Sequence, residues 1–486
     1  MRAPLRSAHR PARPLLAALT AAALAGGSIA TAAELPSALS TTTRPAAVQI
    51  PHAAPGLPAV KHVWIVVLEN KSYAETFNPT TQAPYLLDLA HKGAFLQQYY
   101  GIAHFSLPNY VALLSGQGPN IGTQSDCQQY DDVKLTLPVL GPDGQAIGQG
   151  CVYPSIVKTV ADQLAAKGLS WKGYMEDLGK QPGRESTACG QPRIKNLLDD
   201  TQTAAADDQY AARHNPFVYF HSLVDGPCVG HVAPLAPALR TDLTHADTTP
   251  AYSFITPNLC DDGHDSSGCK GPDVNGGKTY GLTAVNLWLK KYIPLILASP
   301  GYRDGGMLVV TWDEAAASTS AGDGKADADG CCDEQTVPAN TPRAAGAASD
   351  ISGVASIVGS GGGRTGAIVL SPYVKAGTVS THPYNHYSLL RTVEDLYGLS
   401  RLGYAGQATG VEPFGSDVFT ASGTTDAATS PAGHPVVKPR KPAKTPTVTP
   451  PGNGLAATGL DALLPVAAAL LLAGAATLRR RSLRRT

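Results

Sequence analysis

Neither sign of charge predominates in this chain. Its 38 Lys and Arg residues balance 38 Asp and Glu, for a formal net charge of zero. That balance excludes nucleic-acid binding driven by a basic surface, which requires an excess of cations. No C-x-x-C pair occurs among the eight cysteines, which argues against a zinc ribbon. No internal repeat is visible. What is plentiful is Gly (50) and Pro (39), a composition that fits long loops. At 486 residues there is room for a large core and for more than one domain.

The two ends read as addresses rather than fold. Residues 1–32 carry a basic leader, a short apolar run from Leu15 and an A-x-A closure at Ala30-Thr31-Ala32, the pattern of a signal peptide. The run is too short to span a membrane. Residues 33–59 follow as a flexible segment. At the other end, residues 421–454 are rich in Pro, Thr, Ala and Lys and cannot bury a core, so they are expected to form an extended linker. Residues 455–486 combine Leu455-Ala456-Ala457-Thr458-Gly459, an apolar stretch and an Arg-rich tail. This resembles the cell-wall sorting signals of Gram-positive bacteria, in the L-A-x-T-G variant seen in actinobacteria. The resemblance implies that a sortase cuts between Thr458 and Gly459 and joins Thr458 to peptidoglycan. The span holds the chain in the membrane while the Arg cluster stays inside. The plainer alternative is a C-terminal membrane anchor. Either way, contact with the membrane is confined to the two end segments.

Export gives the cysteines a meaning. Cys127, Cys151, Cys189, Cys228, Cys260, Cys269, Cys331 and Cys332 are even in number, which outside the cell favours disulfides. The adjacent Cys331 and Cys332 are expected to take different partners, with Cys260 and Cys269 as candidates. Connectivity does not follow from sequence.

Residues 60–420 alternate in pattern. "HVWIVVL", "SWKGYMED", "AYSFIT", "MLVVTW" and "GAIVLSPY" read as strands. "APYLLDLAHKG", "SIVKTVADQLAAKG", "LTAVNLWLKKYIPLILAS" and "HYSLLRTVEDLYGL" read as helices. The alternation predicts an α/β fold with a mainly parallel central sheet flanked by helices on both faces. A polar stretch from about Ala315 to Gly363 is too long for an ordinary connection and reads as an insert, either mobile or a lid pinned by Cys331 and Cys332.

In such sheets ligands sit at the carboxyl ends of the strands. There the sequence places Glu69-Asn70, then Asp261-Asp262-Gly263-His264-Asp265, then Asp313-Glu314, with His382-Pro383-Tyr384-Asn385-His386 ahead of the last helix. Carboxylate oxygens with a few amide and imidazole groups suit a hard divalent metal ion. Ser106, in "HFSLPNYVALLSGQ", opens a helix whose N–H groups favour an anion. Beside a metal its hydroxyl becomes a nucleophile. Metal, hydroxyl and anion pocket together point to phosphoryl transfer.

"VVLENKSYAETF", "HFSLPNYVALLSGQ", "ITPNLCDDGHD", "VVTWDE" and "YNHYSLLRTVEDLYGL" resemble, in order, the phosphoesterase family of bacterial acid phosphatases and phospholipases C within the alkaline phosphatase superfamily. The resemblance runs from His62 to Tyr404 and is strongest to the shorter, acid-phosphatase-like members, some of which act on phosphoinositides. It implies an alkaline-phosphatase-like sheet with loop insertions stapled by disulfides. It implies metal ligation by Glu69, Asn70, Ser106, Asp313 and Glu314, with Ser106 as nucleophile and Asn109 holding a phosphate oxygen. Asp262, His264 and His386 would complete the phosphate pocket or a second metal site, and His104 is a weaker candidate for the phosphate. Ser106 would attack phosphorus and water would then release phosphate from a phosphoseryl intermediate. The motif Ser106-Leu107-Pro108-Asn109 lacks the Arg of the sulfatase C-x-P-x-R sequence, which disfavours sulfatase chemistry.

Each residue also has a structural reading. Ser106 could only cap its helix, Glu69-Asn70 could only open a turn, and His386 could only cap the last helix. Asp261 and Asp265 read as solvated. His214, His221, His231 and His382 stand in no motif. Two other functions compete with the phosphomonoesterase. One is a phospholipase C or other diesterase on the same site, and the other is a non-catalytic wall protein that retains the fold.

Overall fold

The computed structural model describes residues 56–185, 189–193, 201–264, 269–316, 330–332, 361–407 and 409–420. The signal peptide, the linker, the sorting segment, Asp265 and most of the insert lie outside the described residues. Among the described residues no helix is long and apolar enough to cross a membrane.

Eight strands form one sheet. In chain order they are β1 (His62–Leu68), β2 (Ala94–Leu96), β3 (Trp171–Met175), β4 (Val232–Pro234), β5 (Tyr252–Thr256), β6 (Gly306–Trp312), β7 (Ala367–Leu370) and β8 (Thr378–Ser380). Across the sheet they run β8-β2-β7-β6-β1-β5-β3-β4. All neighbours pair in parallel except at β7, which is antiparallel to both β2 and β6. The expected mainly parallel sheet is therefore present.

β1 lies mid-sheet and every one of its residues is buried. A strand covered on both faces reads as a continuous apolar run, which is why "HVWIVVL" shows no alternation. The two faces are nonetheless distinct. Val63, Ile65 and Val67 join one apolar cluster with Leu107, Val111, Leu164, Leu389 and Val393. Trp64, Val66 and Leu68 join a second cluster with Leu86, Leu89, Val285, Trp288 and Leu289. Helices α2 (Ser106–Ser115), α3 (Val160–Ala166) and α5 (His386–Tyr397) thus cover the first face. Helices α1 (Pro84–Lys92) and α4 (Gly281–Leu297) cover the second. Each fully buried Val, Leu or Ile contributes roughly 1.5–3 kcal/mol.

Four disulfides join Cys127 to Cys151, Cys189 to Cys228, Cys260 to Cys269, and Cys331 to Cys332. The expectation of separate partners for the adjacent pair is overturned. Cys332 takes φ 70°, which turns the chain back on itself, and Cys260 lies near Cys269 with Cα atoms 4.5 Å apart. No disulfide therefore pins the insert to the body through these cysteines. Cys332 instead packs against the small apolar cluster that contains Ile102, Ala103, Tyr387 and Tyr404.

Candidate active site

Register assembles the site. β1 pairs with β6 from His62 opposite Gly306 to Leu68 opposite Trp312, so the two strands end level. Glu69-Asn70 therefore emerges beside Asp313-Glu314. The Asp313 amide donates to the Leu68 carbonyl at 2.8 Å, and the Asn70 amide donates to Asp313 Oδ1 at 3.0 Å. On the other side of β1 the Glu69 amide donates to the Asp262 carbonyl at 2.9 Å. Gly263, at φ 110°, then reverses the chain against the Trp312 ring, where any Cβ would stand 2.6 Å from a ring carbon. That turn lets the His264 amide donate to Asp262 Oδ1 at 2.9 Å. Three strand ends expected to converge do so.

Ser106 comes from a fourth direction. It is the first residue of α2, not its cap: the cap position belongs to Phe105, at φ 75°, a left-handed conformation that costs a bulky residue about 1–2 kcal/mol. The Ser106 hydroxyl donates to Glu69 Oε2 at 2.8 Å. The cap-only reading of Ser106 therefore fails. The expected open anion pocket at the helix start also changes, because Asp126 reaches in and accepts from the Leu107 amide at 3.0 Å. The Ser106 amide bonds to the same carboxylate.

The Asn70 side chain ties the acidic groups together. With its NH2 toward the carboxylates it donates to Glu69 Oε2 at 3.1 Å and to both Asp313 oxygens at 3.0 and 3.2 Å. Its oxygen then accepts from His264 Nε2 at 3.1 Å. The opposite orientation sets an amide oxygen against three carboxylate oxygens, which is repulsive unless a cation stands among them.

Electrostatics make the same demand. Glu69, Asp262, Asp313 and Glu314 are each at most 3% exposed. Burial, reinforced by the Asp262 charge, holds the Glu69 carboxyl well above the usual carboxylate range. Burial and the charges of Glu69 and Glu314 do the same to Asp313. Burial pushes Asp262 up to about 7. It also raises Glu314, against the opposing pull of His104, whose Nδ1 is hydrogen-bonded to Glu314 Oε2. Asp262 Oδ2 makes no hydrogen bond. Buried carboxylates gathered in this way must bind protons or a cation. Among the described residues no three His, Cys, Asp or Glu side chains are gathered as a metal cage. The oxygen-rich donor set, completed by the Asn70 amide and the Ser106 hydroxyl, still fits a hard divalent ion.

Other residues depart from expectation. Asn109 is fully buried, and its amide is spent on backbone. Its Oδ1 accepts from the Ile102 and Ala103 amides at 2.9 and 3.2 Å, and its NH2 donates to the Ala103 and Phe105 carbonyls at 2.8 and 2.9 Å. It shapes the turn that presents Ser106 rather than facing the cleft. His386 is similar: Nδ1 pairs with the Tyr99 hydroxyl at 3.0 Å and Nε2 with the Asp313 carbonyl at 2.5 Å. Burial lowers it to about 4, so it is a neutral prop behind the Asp313 loop. Asp261, expected in solvent, is fully buried, and its Oδ2 makes no hydrogen bond.

Three further groups at the site lie outside the expected set. The Tyr110 hydroxyl donates to Glu69 Oε1. The His214 ring stacks on Tyr110, with Nε2 3.4 Å from Glu69 Oε1 and Nδ1 3.9 Å from Asp262 Oδ2. Burial lowers His214 well below the ordinary histidine range, so it is neutral. The Arg213 charge favours the ionised forms of Glu69, Asp262 and Asp126. Only Tyr110 had a sequence signal: it lies four residues after Ser106 and so shares its helix face.

A serine hydroxyl bonded to a buried carboxylate, among further acidic groups at the carboxyl ends of a mostly parallel sheet, marks a hydrolase acting on phosphoric esters. The chain belongs to the Phosphoesterase family, whose model matches residues 75–400. It is 25% identical over 360 residues to the phosphatidylinositol-3-phosphatase of Mycobacterium tuberculosis, covering 74% of this chain and 84% of that one. It is 27% identical over 241 residues to the phosphate-repressible acid phosphatase of Penicillium chrysogenum, covering 49% of this chain and 45% of that one. The chain thus spans less than half the length of that fungal relative. A solved Vibrio parahaemolyticus protein of the alkaline phosphatase superfamily aligns with 72% of this chain and 69% of that one, at 12% identity and a TM-score of 0.38.

Proposed function

We propose that this chain is an exported, metal-dependent phosphomonoesterase of the acid-phosphatase kind that acts through a phosphoserine at Ser106. One observation carries the reading: the Ser106 hydroxyl, at the start of a wholly buried helix, donates to a Glu69 carboxylate that stands among buried acidic groups. Glu69, Asn70, Ser106, Asp313 and Glu314 are the residues that would hold a divalent ion, which when bound lowers the pKa of a hydroxyl and offsets charge on a phosphoryl group. Glu69 aims the Ser106 oxygen through their hydrogen bond, and Tyr110 holds the other Glu69 oxygen. Asn109 fixes the turn before Ser106, so the hydroxyl is placed before substrate arrives. Transfer to Ser106 releases the alcohol, and water then cleaves the phosphoserine to phosphate and restores the hydroxyl. The names of the mycobacterial and fungal relatives support monoester substrates, with phosphoinositides to be tried first.

Location belongs to the same proposal. The A-x-A closure at Ala32 and the Leu455–Gly459 motif support export followed by sortase linkage of Thr458 to peptidoglycan. The test of function is release of p-nitrophenol from p-nitrophenyl phosphate by the purified chain, with and without chelator. Turnover that chelator and Ser106→Ala both abolish is expected. Turnover untouched by chelator removes the metal, and turnover retained by a folded Ser106→Ala removes the nucleophile.

A further inference from the structure

The amides at the start of α2 are all spent on carboxylates of this chain. A helix leaves its first four backbone N–H positions without helical partners. Here they fall on Phe105, Ser106, Leu107 and Pro108, and a proline has no N–H to give. The Phe105 amide bonds to Glu314. The Leu107 amide donates to Asp126 Oδ1 at 3.0 Å, and the Ser106 amide bonds to the same carboxylate. A phosphoryl group at the Ser106 hydroxyl therefore finds no free amide beside it, although a helix start favours such an anion.

Asp126 is placed as an incoming anion would be. It reaches the helix from a separate stretch, directly after the short turn Thr123–Ser125. Its side chain is 25% exposed, whereas Ser106 is 4% exposed and Leu107 is fully buried. The carboxylate thus has a way out to solvent that the amides lack. Its second oxygen lies 3.8 Å from Arg213 Nε. Two amides and a guanidinium are also the partners that a phosphoryl group takes. Asp126 and Cys127 hold φ 53° and 54°, a left-handed pair that L side chains disfavour, and the Cys127 to Cys151 disulfide closes the stretch.

Capping alone does not account for a charge here. Phe105 supplies no side-chain cap to α2, so an acceptor from elsewhere in the chain serves the helix. A neutral Asn caps a helix as well as Asp does. A carboxylate instead adds one more negative charge near a group of buried acids, and that charge bears on Glu314.

We propose that the Asp126 carboxylate stands in for a phosphoryl group beside Ser106, and that a phosphate monoester binds by displacing it from the Ser106 and Leu107 amides. The proposal rests on the phosphomonoesterase reading above and deepens it: Asp126 sets the affinity of that site for substrate and for released phosphate. On displacement the two amides and Arg213 pass to the phosphoryl group. When phosphate leaves, Asp126 takes them back, so product is not held.

The test measures the dissociation constant of inorganic phosphate for the full chain by titration calorimetry, at one pH and one metal concentration. Asp126→Gly suits φ 53° and frees both amides, whereas Asp126→Asn removes the charge and keeps an acceptor. Phosphate should bind about threefold tighter to Asp126→Asn and about tenfold tighter to Asp126→Gly. A side chain that only supported the fold would give weaker binding on removal, not tighter. Equal gains in the two variants make charge alone the cause and overturn the displacement, and so does no gain in a folded Asp126→Asn. A crystal structure of the wild-type chain with phosphate needs no variant. Phosphate on the Ser106 and Leu107 amides with Asp126 turned away is expected; phosphate at Ser106 with Asp126 still on both amides overturns the proposal. Hydrolysis of p-nitrophenyl phosphate by the wild type with no gain in the variants overturns the displacement and leaves the phosphoesterase standing. A wild type that neither hydrolyses that ester nor binds phosphate overturns both readings.

Discussion

Replacing Asn109 separates two roles that the sequence alone confuses. If its amide held substrate, Asn109→Ala would leave a stable but inactive protein. The structure gives the opposite expectation. Four backbone groups, the amides of residues 102 and 103 and the carbonyls of residues 103 and 105, depend on this one side chain. Each net hydrogen bond contributes about 1 kcal/mol, and a buried group left without a partner costs more. Asn109→Ala should therefore destabilise the fold by about 3–4 kcal/mol, less whatever water recovers by entering the space. With a urea slope of roughly 3 kcal/mol per M, the midpoint falls by about 1 M. Asn109→Asp keeps the acceptor toward residues 102 and 103 but turns an oxygen toward two carbonyls, so it should destabilise at least as much. Ser106→Ala loses one hydrogen bond and should move the midpoint by about a third as much. Turnover falls in the Asn109 variants because the turn carrying Ser106 loosens, and a displacement near 1 Å costs on the order of 100-fold. The assay pairs urea unfolding followed by tryptophan fluorescence with p-nitrophenyl phosphate hydrolysis. An Asn109→Ala protein with a wild-type midpoint and no turnover refutes the argument and returns Asn109 to the substrate.

Glu69→Gln and Asp313→Asn should each lower bound divalent metal in the purified protein at least tenfold by elemental analysis; full retention in both removes these residues from the metal set. Tyr110→Phe removes a donor to the Glu69 carboxylate without changing shape and should lower kcat about tenfold with KM within twofold; an unchanged kcat shows that Tyr110 only packs. Glu394, on the last turns of α5, has its carboxyl raised to about 9 by burial, so the folded state holds a proton that the unfolded state releases near 4.5. Its contribution is thus fully present below about pH 4.5 and is lost as pH rises toward 9. Glu394→Gln should raise the urea midpoint at pH 8 and leave it unchanged at pH 4, and an equal shift at both pH values removes the protonation argument. Wall fragments released by muramidase should carry peptides ending at Thr458, and intact peptides from Ala462 to Leu478 in membrane extracts would rule out sortase processing.

The parts of the fold that could be read from sequence are those where the chain has no choice. "HVWIVVL" and "GMLVVTW" are buried on both faces and can only be central strands, so the acidic pairs that follow them must stand at one edge of the sheet. The direction of a strand is a different matter. β7 is just as apolar, yet it runs antiparallel to β2 and β6, because an unbroken apolar run carries no polarity. β2, β4 and β8 have three residues each, too few to show any period. Cysteine parity gave a disulfide framework but not its pairing, which depends on where Cα atoms fall.

The site divides along a similar line. Residues that follow a strand are placed by the strand, so Glu69, Asn70, Asp262, His264, Asp313 and Glu314 could be located by position alone. Residues that reach the site from elsewhere leave no such trace. His214 ends a short 3-10 helix in an unremarkable stretch, yet it lies between Glu69 and Asp262, its ring stacked on Tyr110. Asn109 shows a further limit. Its position in the motif was legible, but an amide offers the same donor and acceptor to a phosphate oxygen or to a backbone turn. Only the count of its partners separates the two. With Oδ1 shared by two amides and NH2 shared by two carbonyls, its ordinary capacity is filled before substrate enters. A motif residue that looks catalytic can thus be the one that holds the turn before Ser106 in place, and its substitution should be read first in the unfolding curve.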